Sequence, residues 1–377
     1  MQAKILTGNE AVAHAVCLSR VQVVPAYPIT PQTTVVENLA KMKADGMFLG
    51  EFIEVESENT ALAYCIGAAY AGARTFTATS SHGLAYVHEL LHWAAGARLS
   101  MVLANANRAL GAPWCIESDQ TDSLAQRDTG WVQLYCSSVQ EILDTVLLAF
   151  RVTAESKLPV LVVYDGFYLS HVHEPVLVPP QALVDSFLPP LPDKPAFKLE
   201  LPRNHYGLAN ASFMARLVQR RFGATAEINE VYAGVNQAYY RLTGRNYPAV
   251  EYWGSQTASS LFLTAGAMTQ TIQSFIQERA GEEALLKIKL FRPFPAAALQ
   301  KLIHSKLKRI IVVDRNIAYG VGGILAQEVR AALYSAPYQP EILELNLAGG
   351  LDLTPTLLEK ALRFSGNESI MWAVNFR

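Results

Sequence analysis

Three side chains in the N-terminal half have the type and setting needed to do chemistry on a small anion: Thr30, Glu58 and Arg108. Thr30 lies in Tyr27-Pro28-Ile29-Thr30-Pro31, directly after the β-rich run 21–26, and the two prolines stiffen that turn. Open α/β sheets bind ligands beyond the carboxyl ends of their strands, so a hydroxyl is presented there from a rigid loop. The plainer alternative is that Thr30 caps a helix starting near Thr33. Glu58 opens a helix after the run 52–55, with Ser57 as N-cap, and the helix dipole there favours an ionised carboxylate. An ordinary first-turn carboxylate is its alternative. Arg108 follows the run 100–104 among Gly, Ala and Pro residues, and a guanidinium can grip a carboxylate with two parallel hydrogen bonds. Its alternative is a surface ion pair with Glu117 or Asp119.

The elements that position these residues follow from the apolar pattern. Strands are expected at 21–26, 52–55, 75–78, 100–104 and 159–164, with helices at 9–20, 33–45, 58–71, 85–97 and 139–155. That alternation predicts a parallel sheet with helices on both faces. Eight of the 19 prolines then crowd between Pro175 and Pro202, a density that breaks regular structure and reads as a linker. A helical stretch at 211–243 precedes a second β-α alternation, with strands at 260–264, 285–290, 309–313 and 341–345 and helices at 268–279, 296–305, 324–334 and 354–363. The fold class is therefore α/β with two α/β domains: residues 1–174, a Pro-rich linker and helical insert at 175–258, and residues 259–377.

Bulk properties narrow the function. Hydrophobic residues make up 51%, charged residues 17%, and the net charge is −2, so no cationic field points to nucleic acid. Apolar stretches such as 158–164 and 60–73 fall short of the roughly 20 residues a membrane helix needs. The start of the sequence does not read as a signal peptide, and a cytoplasmic location is expected. Cys17, Cys65, Cys115 and Cys136 are scattered without a Cys-x-x-Cys pair, so buried thiols are expected rather than a local metal or iron–sulfur site.

Two motifs are set aside. His88-Glu89-Leu90-Leu91-His92 matches a zinc-binding His-Glu-x-x-His, but no third ligand is evident in residues 93–109. Gly320-Val321-Gly322-Gly323 could open a dinucleotide fingerprint, yet Leu325 stands where Gly or Ala belongs, and a structural turn is the better reading.

Several longer strings occur in order along the chain. They include Ala26-Tyr-Pro-Ile-Thr-Pro-Gln-Thr33, Glu54-Val-Glu-Ser-Glu-Asn-Thr-Ala61, Phe76-Thr-Ala-Thr-Ser-Ser-His-Gly83 and Asn107-Arg-Ala-Leu-Gly-Ala-Pro113. The series continues through residues 119–131 and 165–171 to Leu290-Phe-Arg-Pro-Phe-Pro295 and Val313-Asp-Arg-Asn316. Together they resemble the α subunit of the pyruvate:ferredoxin oxidoreductase family, also called the 2-oxoacid:ferredoxin oxidoreductases. The resemblance implies a thiamine-enzyme pyrimidine-type domain followed by a transketolase C-terminal-like domain. It also implies oxidative decarboxylation of a 2-oxoacid to an acyl-coenzyme A, with electrons passed to ferredoxin. Pyruvate is the first substrate expected, and branched-chain, aryl and dicarboxylic oxoacids are used by related complexes. By the same resemblance Glu58 holds the aminopyrimidine of thiamine diphosphate, with Pro28 and Ile29 beside the cofactor, and Thr30 and Arg108 bind the substrate.

The sequence lacks the Gly-Asp-Gly segment that commonly holds the magnesium diphosphate; the nearest candidate reads Tyr164-Asp165-Gly166. The diphosphate and its Mg2+ are therefore expected on a partner chain, and the resemblance implies a thiamine-binding β subunit, a ferredoxin-like iron–sulfur subunit carrying [4Fe-4S] clusters and a possible γ subunit. A non-catalytic assembly chain is the rival reading, which the presence of Thr30, Glu58 and Arg108 opposes, and a zinc hydrolase is a distant third.

Overall fold

A computed structural model describes residues 1–190, 207–279, 283–366 and 368–376. In chain order the strands are β1 (Gln2–Leu6), β2 (Val23–Ala26), β3 (Glu51–Glu54), β4 (Thr75–Thr79), β5 (Met101–Asn107), β6 (Val132–Tyr135), β7 (Val160–Asp165), β8 (Glu174–Val178), β9 (Val250–Gly254), β10 (Ser260–Thr264), β11 (Ala284–Ile288), β12 (Leu290–Arg292), β13 (Arg309–Asp314), β14 (Glu341–Asn346) and β15 (Ile370–Trp372).

The first sheet has the order β12-β6-β7-β5-β4-β2-β3, parallel except for β12. Every residue of β4, β5, β6 and β7 is buried, which is why most of these strands read as apolar runs without alternation. The second sheet has the order β15-β14-β13-β10-β11-β9, with β9 as its antiparallel edge. Leu103 and Leu161 of the first sheet share one core with Leu263, Leu286 and Val312 of the second, so the two sheets pack through a continuous apolar layer.

Two of the following features differ from the sequence reading, while the helical insert follows it. The start of the proline-rich stretch is not a bare linker: β8 pairs antiparallel with β1, and a helix runs Gln181–Phe187. Pro175 sits in a two-stranded edge pair and Pro180 is the helix N-cap, positions that tolerate a missing N–H. The rest of that stretch, 191–206, lies outside the described residues. The expected helix at 85–97 is two pieces, Ser81–Tyr86 and His88–Gly96, hinged at Val87. The helical insert forms Ala211–Ala226 and Ile228–Thr243, and it docks on the first half through Asp144 of helix Val139–Ser156. That carboxylate accepts from Tyr239 at 2.5 Å and Tyr247 at 2.7 Å, and it pairs with Arg245.

The halves are also joined by buried charge. Ser138 caps helix Val139–Ser156, which places Glu141 in its first turn. Glu141 Oε2 accepts from Ser137 N at 2.8 Å and from Lys287 Nζ at 2.8 Å, while Oε1 lies 3.0 Å from Lys289 Nζ. Burial alone would push this carboxyl up, but the two ammonium groups overcome it and hold it low. We expect Glu141→Gln to leave the buried Lys289 ammonium without a counter-charge and Lys287 with only Glu251 at 3.5 Å, and to cost about 3–5 kcal/mol, the scale for breaking a buried pair from one side. Chemical denaturation of the purified chain checks this, and a loss under about 1 kcal/mol would mean that the cluster is dispensable.

Candidate active site

Because β5, β4, β2 and β3 are neighbours and run parallel, the segments following them emerge at one end of the sheet. Those segments carry Arg108 after β5, the Ser81-His82-Gly83 turn after β4, the Tyr27–Gln32 loop after β2 and Glu58 after β3.

The loop after β2 is anchored from below. Asn9 Nδ2 donates to Pro31 O at 2.8 Å, and Asn9 Oδ1 accepts from the Tyr164 hydroxyl at 2.7 Å. Ile29 and Gln32 close the turn on each other, leaving Pro28 and Thr30 exposed and Ile29 half-buried. Thr30 is not a helix cap; Gln32 occupies the N-cap of helix Thr33–Ala44, without a side-chain bond.

Arg108 is only 6% exposed and reaches across to this loop, where Nη1 donates to Thr30 O at 2.7 Å. Nε is buried without a partner, and among the described residues Nη2 makes no hydrogen bond either. One edge of the guanidinium is thus unpaired, the arrangement a carboxylate satisfies with two parallel bonds. The ion pair with Glu117 or Asp119 does not form; Asp119 is occupied by the backbone N–H groups of Thr121 and Gly349.

Glu58 begins helix Glu58–Tyr70, whose Ser57 cap accepts from Thr60 N at 3.1 Å. Among the described residues its carboxylate has no hydrogen-bond partner, and it borders a small cavity with Tyr27 and Thr79. Gly83 makes room for it: a Cβ there would lie 2.5 Å from Glu58 Oε1 and 2.4 Å from Thr79 Oγ1. Thr79 Oγ1 is itself buried and unpartnered. The structure therefore groups Thr30 with Arg108, and sets the 81–83 turn between Arg108 and Glu58.

The family model "Pyruvate flavodoxin/ferredoxin oxidoreductase, thiamine diP-bdg" matches residues 14–235, more than half of the chain. This chain belongs to the 2-oxoacid:ferredoxin oxidoreductase family, as an α subunit. A second model, "Pyruvate:ferredoxin oxidoreductase core domain II", matches residues 258–358. The α subunit is 40% identical over 359 residues to the ketoisovalerate oxidoreductase subunit VorA of Pyrococcus horikoshii, covering 93% of this chain and 90% of that one. It is 39% identical over 379 residues to the pyruvate synthase subunit PorA of Methanothermobacter thermautotrophicus, covering 99% and 98%. Among solved structures it is similar to 2-oxoglutarate:ferredoxin oxidoreductase from Magnetococcus marinus, described with 2-oxoglutarate, coenzyme A and succinyl-CoA bound. The TM-score is 0.73 at 20% identity, covering 96% of this chain and 65% of that longer one. No helix among the described residues of the α subunit is long and apolar enough to cross a membrane.

The motifs set aside from the sequence have structural explanations in this α subunit. His88 and His92 stack edge-on at 4.9 Å, and His88 Nδ1 meets Gln126 Oε1 at 2.5 Å, with no metal-holding group of three or more His, Cys, Asp or Glu among the described residues. Gly320 and Gly322 have φ of 84° and 114° in a tight turn closed between Ala318 and Gly322. Asp165 is buried and accepts from Ala267 N at 2.8 Å and Ser118 Oγ at 3.2 Å, with Arg315 3.6 Å away, so it pins the two sheets together. Cys65 and Cys136 are buried as expected, whereas Cys17 and Cys115 are half-buried.

Sequence reasoning assigned no role to Asn9, Ser81, His82, Gly83 or Asp122. Asp122 is fully buried, and burial pushes its carboxyl up to about 7 against the N–H donors that surround it. For Gly83 the signal was present, a glycine inside the Ser-Ser-His-Gly string at a strand end, but its neighbour in space was not. We expect Gly83→Ala to keep the fold, because alanine favours a helix, while pushing the Glu58 carboxylate aside. In the assembled enzyme, turnover should fall by about tenfold or more, with a lowered melting temperature because the added Cβ also crowds the buried Thr79 Oγ1. Wild-type turnover would show that the Glu58 position carries no chemistry.

Proposed function

We propose that this chain supplies the pyrimidine-side half of a shared thiamine diphosphate site together with the carboxylate grip for a small monocarboxylic 2-oxoacid. The supporting observation is the pairing, across the 81–83 turn, of a buried guanidinium with one free edge and a helix-terminal carboxylate with no hydrogen-bond partner among the described residues. The net reaction balances as R–CO–COO⁻ plus CoA–SH giving R–CO–S–CoA, CO2, one proton and two electrons. The electrons leave through [4Fe-4S] clusters to ferredoxin.

Thiamine diphosphate, when bound, supplies the nucleophilic carbon and the electron sink for loss of CO2. The residues present fit its pyrimidine end: Glu58 is free to accept from a ring N–H, and the missing Cβ of Gly83 leaves space beside it. Glu58 would hold a proton at that ring nitrogen from the start of its helix. Pro28 and Ile29 would line the cofactor edge from the stiff loop after β2. Arg108 would fix the oxoacid carboxylate, and the exposed Thr30 hydroxyl would reach the substrate oxygens.

The diphosphate with its Mg2+ would come from a β subunit, and the clusters from a ferredoxin-like subunit, with a γ subunit completing the complex. Helix Glu58–Tyr70 buries Leu62, Cys65 and Ile66 but leaves Ala63, Tyr64 and Gly67 exposed, a face of mostly small side chains that a partner helix can approach closely. Pyruvate remains the first substrate, in a cytoplasmic complex. The VorA relatives at 40% and 41% identity favour a branched oxoacid as the second.

Two substitutions test the assignments. Glu58→Gln preserves volume and removes the charge, so turnover of the assembled complex should drop on the order of a hundredfold with assembly intact. Near-normal turnover would remove Glu58 from the chemistry. Arg108→Lys keeps the charge but loses the planar paired contact, so kcat/KM should fall about tenfold or more for both pyruvate and 3-methyl-2-oxobutanoate at an unchanged melting temperature. A fall confined to one oxoacid would move Arg108 to side-chain selection, and unchanged kinetics would make it structural.

A further inference from the structure

We infer that Ser81, His82 and Asp122 form a clamp that holds Arg108 in its carboxylate-gripping position, an inference that rests on the assignment of Arg108 above. They are positioning residues, none of which needs to touch substrate.

The hydrogen bonds around Arg108 carry the argument. Asp122 Oδ2 accepts from Arg108 N at 3.2 Å, Ser81 N at 2.9 Å and Asn105 Nδ2 at 3.1 Å, and its Oδ1 accepts from Ser123 N at 2.7 Å. One buried carboxylate thus ties the ends of β4 and β5 to each other. Ser81 has φ of 51°, a left-handed conformation that is unfavourable for a non-glycine residue and persists only where its surroundings enforce it. In that conformation Ser81 Oγ donates to Ala109 O at 2.6 Å.

This donation settles the state of His82. The single Ser81 hydroxyl proton is used on Ala109, so the 3.1 Å contact between Ser81 Oγ and His82 Nδ1 requires the proton to be on Nδ1. Gly111 N–H donates to His82 Nε2 at 3.0 Å, which requires a lone pair there. Both constraints select the same neutral tautomer. Its ring lies 4.7 Å from the Trp114 ring, and that indole lies 5.8 Å from the Arg108 guanidinium carbon.

Arg108, Ala109, Gly111 and Trp114 are therefore each held by one of the three clamp residues. Beyond these contacts and the bond from Ala109 N–H to Glu117 O at 3.0 Å, little restrains this stretch. Between residues 110 and 116 the Gly111–His82 bond is the only hydrogen bond among the described residues, and residues 111–114 are exposed. An arginine that must present one free edge at a fixed angle, from the start of such a loop, depends on its backbone being held.

The test uses the assembled enzyme, with KM for pyruvate and kcat measured separately. His82→Leu removes the acceptor for Gly111, and we expect KM to rise about tenfold while kcat changes by less than about threefold. His82→Gln, whose amide oxygen can still accept from Gly111 N–H, should recover most of that rise. Asp122→Asn should raise KM in the same way, and if it fails to fold, the two His82 variants decide alone. Combined with Arg108→Lys, His82→Leu should add less than about twofold, because two changes acting through one contact are not additive. An unchanged KM in His82→Leu, or no recovery in His82→Gln, would overturn the clamp while leaving the Arg108 assignment standing. A full tenfold effect persisting beside Arg108→Lys would also overturn it, by showing that His82 acts through something else. If Arg108→Lys alone leaves kcat/KM unchanged, the assignment of Arg108 falls and the clamp falls with it.

Discussion

Glu141, Lys287 and Lys289 put three charges where the two halves of the chain meet, with side chains no more than 4% exposed. Removing such groups from water costs several kcal/mol each, and only close, well-directed contacts offset that. Many alternative packings of two apolar faces are tolerable, but few bring two ammonium groups onto one carboxylate. Lys287 and Lys289 are two residues apart on an extended segment and so face the same side, toward the helix start that carries Glu141. The chain then continues directly into β12, which pairs with β6. The register of that cross-sheet pairing is set by the ion contact a few residues earlier.

The same economy governs the candidate site. Its loops are held less by apolar packing than by side chains that bond backbone groups of a neighbouring loop: Asn9 to Pro31, Arg108 to Thr30, and Asp122 to Ser81 and Arg108. Each bond runs between segments distant in sequence, and each fixes one strand-end loop relative to the next. Held this way, the loops leave unpaired one edge of the Arg108 guanidinium, together with buried polar atoms such as Thr79 Oγ1.

The buried central strands were legible because a strand covered on both faces leaves an apolar run. β6 was not, since it is four residues long and includes Gln133, a buried amide that donates to Ser123 O at 3.0 Å. β8 was hidden by prolines that its edge position tolerates. Thr30, Glu58 and Arg108 could be placed at strand ends from local pattern alone, because where a loop emerges is a local property. Their partners could not. Nothing around Asp122 in the sequence says that its carboxylate meets the N–H groups of Ser81 and Arg108, and nothing around Arg108 favours the Thr30 carbonyl over the nearer Glu117 and Asp119.

The placement of β12 has a consequence for how the molecule can be divided. This three-residue strand belongs by sequence to the second half and by hydrogen bonding to the first, where it covers the outer edge of β6. A fragment ending before residue 284 would expose the β6 edge and the charged end of the adjoining helix to solvent, an invitation to edge-to-edge aggregation. The remaining fragment would carry two lysines with no counter-charge on its surface. Such a cut also parts β10 from its neighbours β11 and β13, so neither fragment keeps both its sheet edges and its charge partners.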